Sequence, residues 1–330
     1  MEQLKVSLHI EPHVGYTYDD IVTLAKAAEA AGFYRFTVSD HFFGWIEGTE
    51  IPCYEAWTTI ALLTPQTERM LLGTQVSCQS YRNPALLAKI VANLDNASNG
   101  RMDLGIGAGW KAGEYEAYGY AFPSSKTRIL QLREALQIIN LLWTEERPSF
   151  EGEFYRIRET LFQPKPVQKP RVPIWIGTKT LKAPMIEETA ARYADGLDYV
   201  DASPADYAQK KERMKTMCEK VGRDFDEMRW SVGKTAVVLG EDEDDFQNKK
   251  ETVLKQEWLE KKLTEPMKQA WLEHACAQEI AGPPDVVVES LSKFRNLADI
   301  VNLCLPFVGD LRRNGLNTIR ILKERVLPRL

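Results

Sequence analysis

Short runs rich in β-branched and aromatic residues alternate with longer amphipathic stretches along most of the chain. The first run, Leu4 to Ile10, is followed by apolar Ile21, Leu24, Ala25 and Ala28 at helical spacing within residues 19–31, and Gly32 then supplies a C-terminal stop. The same pattern predicts strands at 34–39, 70–76, 102–107, 172–177, 196–200, 230–239 and 299–305. It predicts helices near 54–64, 84–96, 126–144, 183–194, 205–221, 285–296 and 315–327. Strands alternating with helices pair in parallel through right-handed crossovers. Eight strands in 330 residues fit a closed (β/α)8 TIM barrel, an α/β fold, better than a doubly wound sheet.

Two stretches depart from the alternation. Residues 148–157, "PSFEGEFYRI", place Glu151-Gly152 between short apolar-aromatic runs and read as an inserted hairpin. Residues 241–280 form a charged, helix-rich insertion after the seventh strand, a lid or interface element. Its opening "EDEDD" reads as a solvated acidic helix start, favoured by the helix dipole, rather than as a metal site. Nothing divides the chain, so 1–330 is expected to be a single domain.

Composition narrows the partners. With 44% hydrophobic and 27% charged residues the chain can bury a large core, and a net charge of -5 without a long basic block disfavours nucleic acid and anionic membranes. A small molecule becomes the expected partner. The N-terminal segment has no basic-then-apolar leader and no window has eighteen consecutive apolar residues, so a cytoplasmic location is expected. Five scattered cysteines without CxxC or Cys/His spacing point to reduced thiols, not disulfides or structural zinc.

In a barrel of this kind function gathers at the C-terminal ends of the strands. Here those ends include His9-Ile10-Glu11, Ser39-Asp40-His41, Thr74-Gln75-Val76-Ser77, Gly105 to Trp110, Gly177 to Thr180, and Pro306-Phe307. No G-x-S-x-G elbow, HExxH, phosphate loop or convincing His/carboxylate metal cluster is present. Gly105, Gly107 and Gly109 suit either a flat ring lying on the backbone or a tight strand-to-helix turn.

"SDHFFGW", "YRNPALLAKIVANLDNASNGRMDLGIGAGW", "EYEAYGYAFP", "ALQIINLLWTEERPSFEGEFYRI", "PKPVQKPRVPIWIG", "ARYADG" and "EIAGPPDVVVESL" follow one another in order along the chain. Together they resemble the bacterial luciferase-like superfamily, most closely its branch of oxidoreductases dependent on the deazaflavin coenzyme F420. The resemblance implies a (β/α)8 barrel, usually homodimeric, with the cofactor at the strand C-terminal ends. It implies that Asp40 contacts the deazaflavin ring, that His41 accepts or donates a proton near the substrate, and that Trp45 walls the substrate side. It also implies a non-proline cis peptide at Gln75–Val76 behind the ring, with Thr74 beside it, and places Gly107, Ala108 and Gly109 along the cofactor.

Two positions depart from the resemblance. Trp110 stands where sugar-phosphate and alcohol dehydrogenase relatives carry an acidic glutamate, which suggests a flatter or more apolar ligand; Glu11 or Glu114 could supply an acid instead. After the fifth strand, "GTKTLKAPMIEETA" replaces a glycine-rich phosphate turn, leaving Gly177, Thr178, Lys179 and Thr180 to bind the cofactor phosphate ahead of the helix begun by Pro184. The expected activity is hydride transfer between F420 and a small organic substrate. Two alternatives remain: a monooxygenase using reduced FMN, and a non-catalytic flavin-binding protein.

Overall fold

The computed structural model describes residues 4–44, 50–200, 202–234, 239–254, 281–305 and 309–330. Trp45, residues 255–280 of the insertion and Pro306-Phe307 lie outside the described residues. Eight strands carry the fold: β1 (Lys5–Ile10), β2 (Arg35–Val38), β3 (Leu71–Thr74), β4 (Met102–Gly107), β5 (Ile174–Thr178), β6 (Gly196–Val200), β7 (Arg229–Lys234) and β8 (Ile300–Cys304). Each pairs in parallel with the next. Parallel pairing of β8 with β1, His9 opposite Cys304, closes the barrel.

Helices cover the outside: α1 (Tyr18–Ala31), α2 (Ala56–Leu63), α3 (Pro84–Ala97), α4 (Ala112–Ala117), α5 (Ser125–Thr144), α6 (Pro184–Tyr193), α7 (Pro204–Val221), α8 (Glu243–Leu254), α9 (Pro284–Ser292) and α10 (Leu311–Ile321). Their starts follow side-chain chemistry. Thr17 and Asp20 form a reciprocal capping box ahead of α1, and Glu55 accepts from the Trp57 and Thr58 amides ahead of α2. The apolar stripe of α1, Ile21, Leu24, Ala25 and Ala28, is wholly buried against the sheet. No described helix is long and apolar enough to cross a membrane.

Differences from the sequence pattern have local causes. The third strand ends at Thr74, just before the cis Gln75–Val76 peptide, and pairing with β4 resumes at Ser77–Cys78. The fifth begins at Ile174, the first residue after Pro173, since proline has no N–H for the ladder. The last predicted helix starts four residues early, at Leu311, where Asp310 caps the Arg313 amide. Helix α4 has no counterpart in the pattern: six residues are too few for a helical period to register. The hairpin forms as expected, Phe150–Glu151 antiparallel to Arg156–Ile157, and the acidic run does open a helix, with Glu243, Asp244 and Asp245 in the first turn of α8.

The barrel interior is apolar in part and polar across its middle. Arg35 donates to Asp103 (2.6 Å) and to Asn302 (2.8 Å). Asn302 in turn donates to Ser231 (2.6 Å) and Asp198 (3.2 Å), and the Gln75 amide donates to the other Asp198 oxygen at 2.7 Å. Most buried polar groups in folded proteins are partnered. This chain of partners ties β2, β4, β6, β7 and β8 to the cis bulge after β3.

Candidate active site

Three of the four histidines in the sequence meet at the C-terminal end of β1 and β2. His9 and Glu11 point the same way because strand side chains alternate, and a one-turn helix at Pro12–Val14 then swings His13 back over Glu11. Glu11 lies 3.3 Å from His9 Nε2 and 3.2 Å from His13 Nδ1. The His13 ring packs edge-on against His41, centroids 4.6 Å apart. Burial and attraction from His9 act on the Glu11 carboxyl in opposite senses, and the histidines win, holding it well below the usual carboxylate range. Burial, only partly offset by Glu11, brings His13 down to about 4.

His41 is held from behind. Its Nδ1 lies 3.0 Å from Glu114 Oε2, and Glu114 also accepts from the Phe42 amide (2.9 Å), Tyr81 OH (2.7 Å) and Lys111 Nζ (3.1 Å). Burial pushes the Glu114 carboxyl up, but the His41 hydrogen bond and charge, then Tyr81 and the Phe42 amide, outweigh it and leave the group at about 2. Expected as an alternative acid or a substrate-pocket carboxylate, Glu114 is fully buried and ionised. It cannot donate a proton near neutral pH and instead fixes the ring of His41. Glu11, the other expected acid, is likewise ionised. Cys53 donates to the His41 carbonyl at 3.2 Å, and burial, followed by the Glu114 charge, pushes its thiol up to about 12.

Asp40 faces away from this cluster. Both its oxygens bind Arg82 (2.7 and 2.8 Å), and Oδ2 accepts from the Cys78 amide at 2.9 Å. It thus clamps the backbone that follows the cis bulge. Thr74 is also turned inward, donating to the Gly105 carbonyl at 2.7 Å. Gln75 and Val76 are half-buried at the barrel mouth, with the cis peptide between them as expected.

The glycines answer to Val76 and the bulge. A Cβ on Gly105 would collide with the Thr74 carbonyl oxygen; on Gly107 and Gly177 it would come within 3.0 and 2.8 Å of the Val76 methyls. Gly109 has φ +80°, and a Cβ there would strike Tyr115 OH. Ala108 and Gly109 are partly exposed, and Trp110 is 60% exposed with its ring edge-on to His41 at 5.9 Å. On β5, Thr178 Oγ1 accepts the Thr180 amide (3.2 Å), while Lys179 and Thr180 are exposed. Lys210 secures this turn by donating to the Thr180 and Leu181 carbonyls (2.9 and 3.0 Å), and Glu187 neutralises Lys210 and Arg213.

Several participants carry no sequence signal of their own. Tyr81, Arg82 and Lys111 reach the site only through tertiary folding. His9 and His13 could have been found from their two-residue spacing about Glu11 at a strand end.

A closed parallel barrel with its polar cluster, cis bulge and exposed aromatic all on the strand C-terminal rim defines a (β/α)8 barrel of the cofactor-binding kind in architecture. The chain belongs to the luciferase-like monooxygenase family, which matches residues 5–298. It is 34% identical over 179 residues to an F420-dependent glucose-6-phosphate dehydrogenase of Amycolatopsis mediterranei (strain U-32), covering 54% of this chain and 52% of that protein. The chain therefore spans about half the length of that relative. Among solved structures it resembles an F420-dependent secondary alcohol dehydrogenase in complex with an F420-acetone adduct, with a TM-score of 0.80, 20% identity and 99% coverage of both chains. A monooxygenase from Streptomyces bottropensis superposes with a TM-score of 0.78 at 22% identity, covering 98% of this chain and 99% of its own. At such identities the likeness is one of fold.

Proposed function

We propose that the protein is an oxidoreductase that uses coenzyme F420 to move a hydride to or from a small organic substrate. The observation that carries this reading is the His41–Glu114 pair on the rim, beside an exposed indole and above the cis Gln75–Val76 bulge. The rim suits a flat ring: Val76, Ala108 and Gly109 offer a low surface, and Thr178, Lys179 and Thr180 offer hydroxyls and positive charge for a phosphate tail. When bound there, the deazaflavin supplies or accepts the hydride.

The chain's own part is positioning and proton handling. Ionised Glu114 makes Nδ1 the protonated nitrogen of His41, so Nε2 is the atom that takes a proton from, or returns it to, a substrate oxygen. The imidazolium formed in that exchange is stabilised by the carboxylate behind it. Trp110 covers the same side and favours a flat or apolar substrate. The protein is taken to act in the cytoplasm as a homodimer, which light scattering would check.

The deciding experiment is purification from a host that makes both FMN and deazaflavin, with spectroscopic identification of what copurifies. F420 binding at micromolar concentration without FMN binding supports the proposal. FMN binding with oxygen consumption overturns it in favour of the reduced-FMN monooxygenase, a reading that the same histidine also suits. Unchanged turnover in His41→Ala, with the cofactor still bound, would leave a non-catalytic flavin-binding protein.

A further inference from the structure

His9 and Cys304 are register partners across the seam between β1 and β8, and Glu11 follows directly after the end of β1. One donor atom from each, an imidazole nitrogen, a carboxylate oxygen and a thiol sulfur, lie within 4.8 Å of one another. Cys304 is 2% exposed and His9 6%. Residues 295 positions apart share no spacing motif, so this grouping exists only in the closed barrel.

The hydrogen bonds around His9 show which nitrogen faces the cluster. Thr37 Oγ1 lies 3.0 Å from His9 Nδ1 and within reach of the Leu8 carbonyl (3.4 Å) and the Gln75 side-chain oxygen (3.3 Å). His9 Nε2 faces Glu11 Oε1 at 3.3 Å. Either a proton or a metal cation fills the space between these two atoms. The other Glu11 oxygen is buried and accepts no hydrogen bond, although His13 Nδ1 lies 3.2 Å from it. Tetrahedral zinc, with bonds of about 2.0–2.3 Å, holds its donors roughly 3.3–3.8 Å apart. The His9–Glu11 separation already has that value.

We propose that His9, Glu11 and Cys304 form a binding site for one zinc-class divalent ion at the mouth of the barrel. The donor set is the borderline-soft mixture of nitrogen, oxygen and sulfur that such ions prefer over magnesium or calcium. Thr37, bonded to the far nitrogen of His9, is the outer partner that metal-ligating histidines need. Three protein donors leave a fourth position for water or a substrate oxygen. The site is independent of which organic cofactor the rim binds.

The test titrates the purified, metal-stripped full chain with Co2+, which reports a thiolate ligand through a sulfur-to-cobalt charge-transfer band and tetrahedral geometry through intense visible bands. One equivalent should bind with both signals, and Zn2+ should displace it. Cys304→Ser should abolish the charge-transfer band while Cys53→Ser and Cys276→Ser keep it. Thr37→Val should weaken binding by about 10- to 100-fold. Circular dichroism and thermal unfolding of each variant identify any that fails to fold, and for such a variant His9→Gln in the same titration takes its place. Absence of saturable binding overturns the proposal and leaves a proton between His9 and Glu11. A charge-transfer band that survives in folded Cys304→Ser, or in His9→Gln, also overturns it by placing the ion elsewhere.

Discussion

Glu114 Oε2 lies 3.0 Å from His41 Nδ1, and the carboxylate is fully buried behind the ring it holds. Glu114→Gln keeps the shape but removes the charge that fixes the tautomer and stabilises the imidazolium. Turnover should fall by about 100-fold or more, within the usual range for a lost acid–base contribution. Tyr81→Phe, which removes one of four hydrogen-bond donors to the same carboxylate, should cost much less. Steady-state kinetics on both variants, with cofactor affinity measured separately, checks the ordering; equal rates for Glu114→Gln and the parent chain would remove the pair from the chemistry.

The same carboxylate makes stability depend on acid. Its folded value of about 2 is below the ordinary 4.5, so its contribution is fully present above about pH 4.5 and is lost as the pH falls toward 2. Denaturant midpoints measured from pH 6 down to pH 2 should drop more steeply for the parent chain than for Glu114→Gln. Parallel curves would show that the ionised form is not preferred by the fold.

Asp40→Asn should destabilise the protein by about 1–3 kcal/mol, because the largely buried Arg82 guanidinium then keeps only Glu55 as a charged partner. The Cys78 amide bond at 2.9 Å is weakened as well, so the segment after the cis bulge should exchange its amide protons faster. Chemical denaturation and hydrogen exchange at residues 77–79 measure the two effects. Loss of cofactor affinity with unchanged stability would instead assign Asp40 to the ligand.

Gly105→Ala places a methyl on the Thr74 carbonyl, a backbone atom that cannot swing aside. Overpacking of this kind costs about 1–3 kcal/mol, and here it also pushes β3 away from β4. Thermal unfolding should show the loss. Gly32→Ala is a useful contrast: no atom crowds that position, but its φ of +85° makes the substitution strained for backbone reasons alone.

The frame of the protein was readable because buried parallel strands are apolar runs and their covering helices are amphipathic: all eight strands fall within the predicted stretches or a residue of them. The Gln75–Val76 cis bond was legible through resemblance and not through local physics. Most of the site was hidden for a different reason. Arg35, Thr37, Asp198 and Asn302 occupy inward strand positions where an apolar pattern predicts none, and each is tolerated only because its partner comes from another strand. Glu114 reads as a surface carboxylate in a charged stretch, and only the short α4 and the Phe42 amide turn it into a buried one.

The seam between β1 and β8 joins the first strand of the chain to the last. During synthesis, everything from β1 to β7 emerges before Cys304 and Asn302 exist, so Arg35, Asp198 and Ser231 each lack the partner that Asn302 supplies. Only when residues 300–304 leave the ribosome can Arg35 find Asn302 and His9 its neighbour across the seam. The rim is therefore completed in one late step, and a chain stopped before residue 300 would leave the β1 edge without its partner strand.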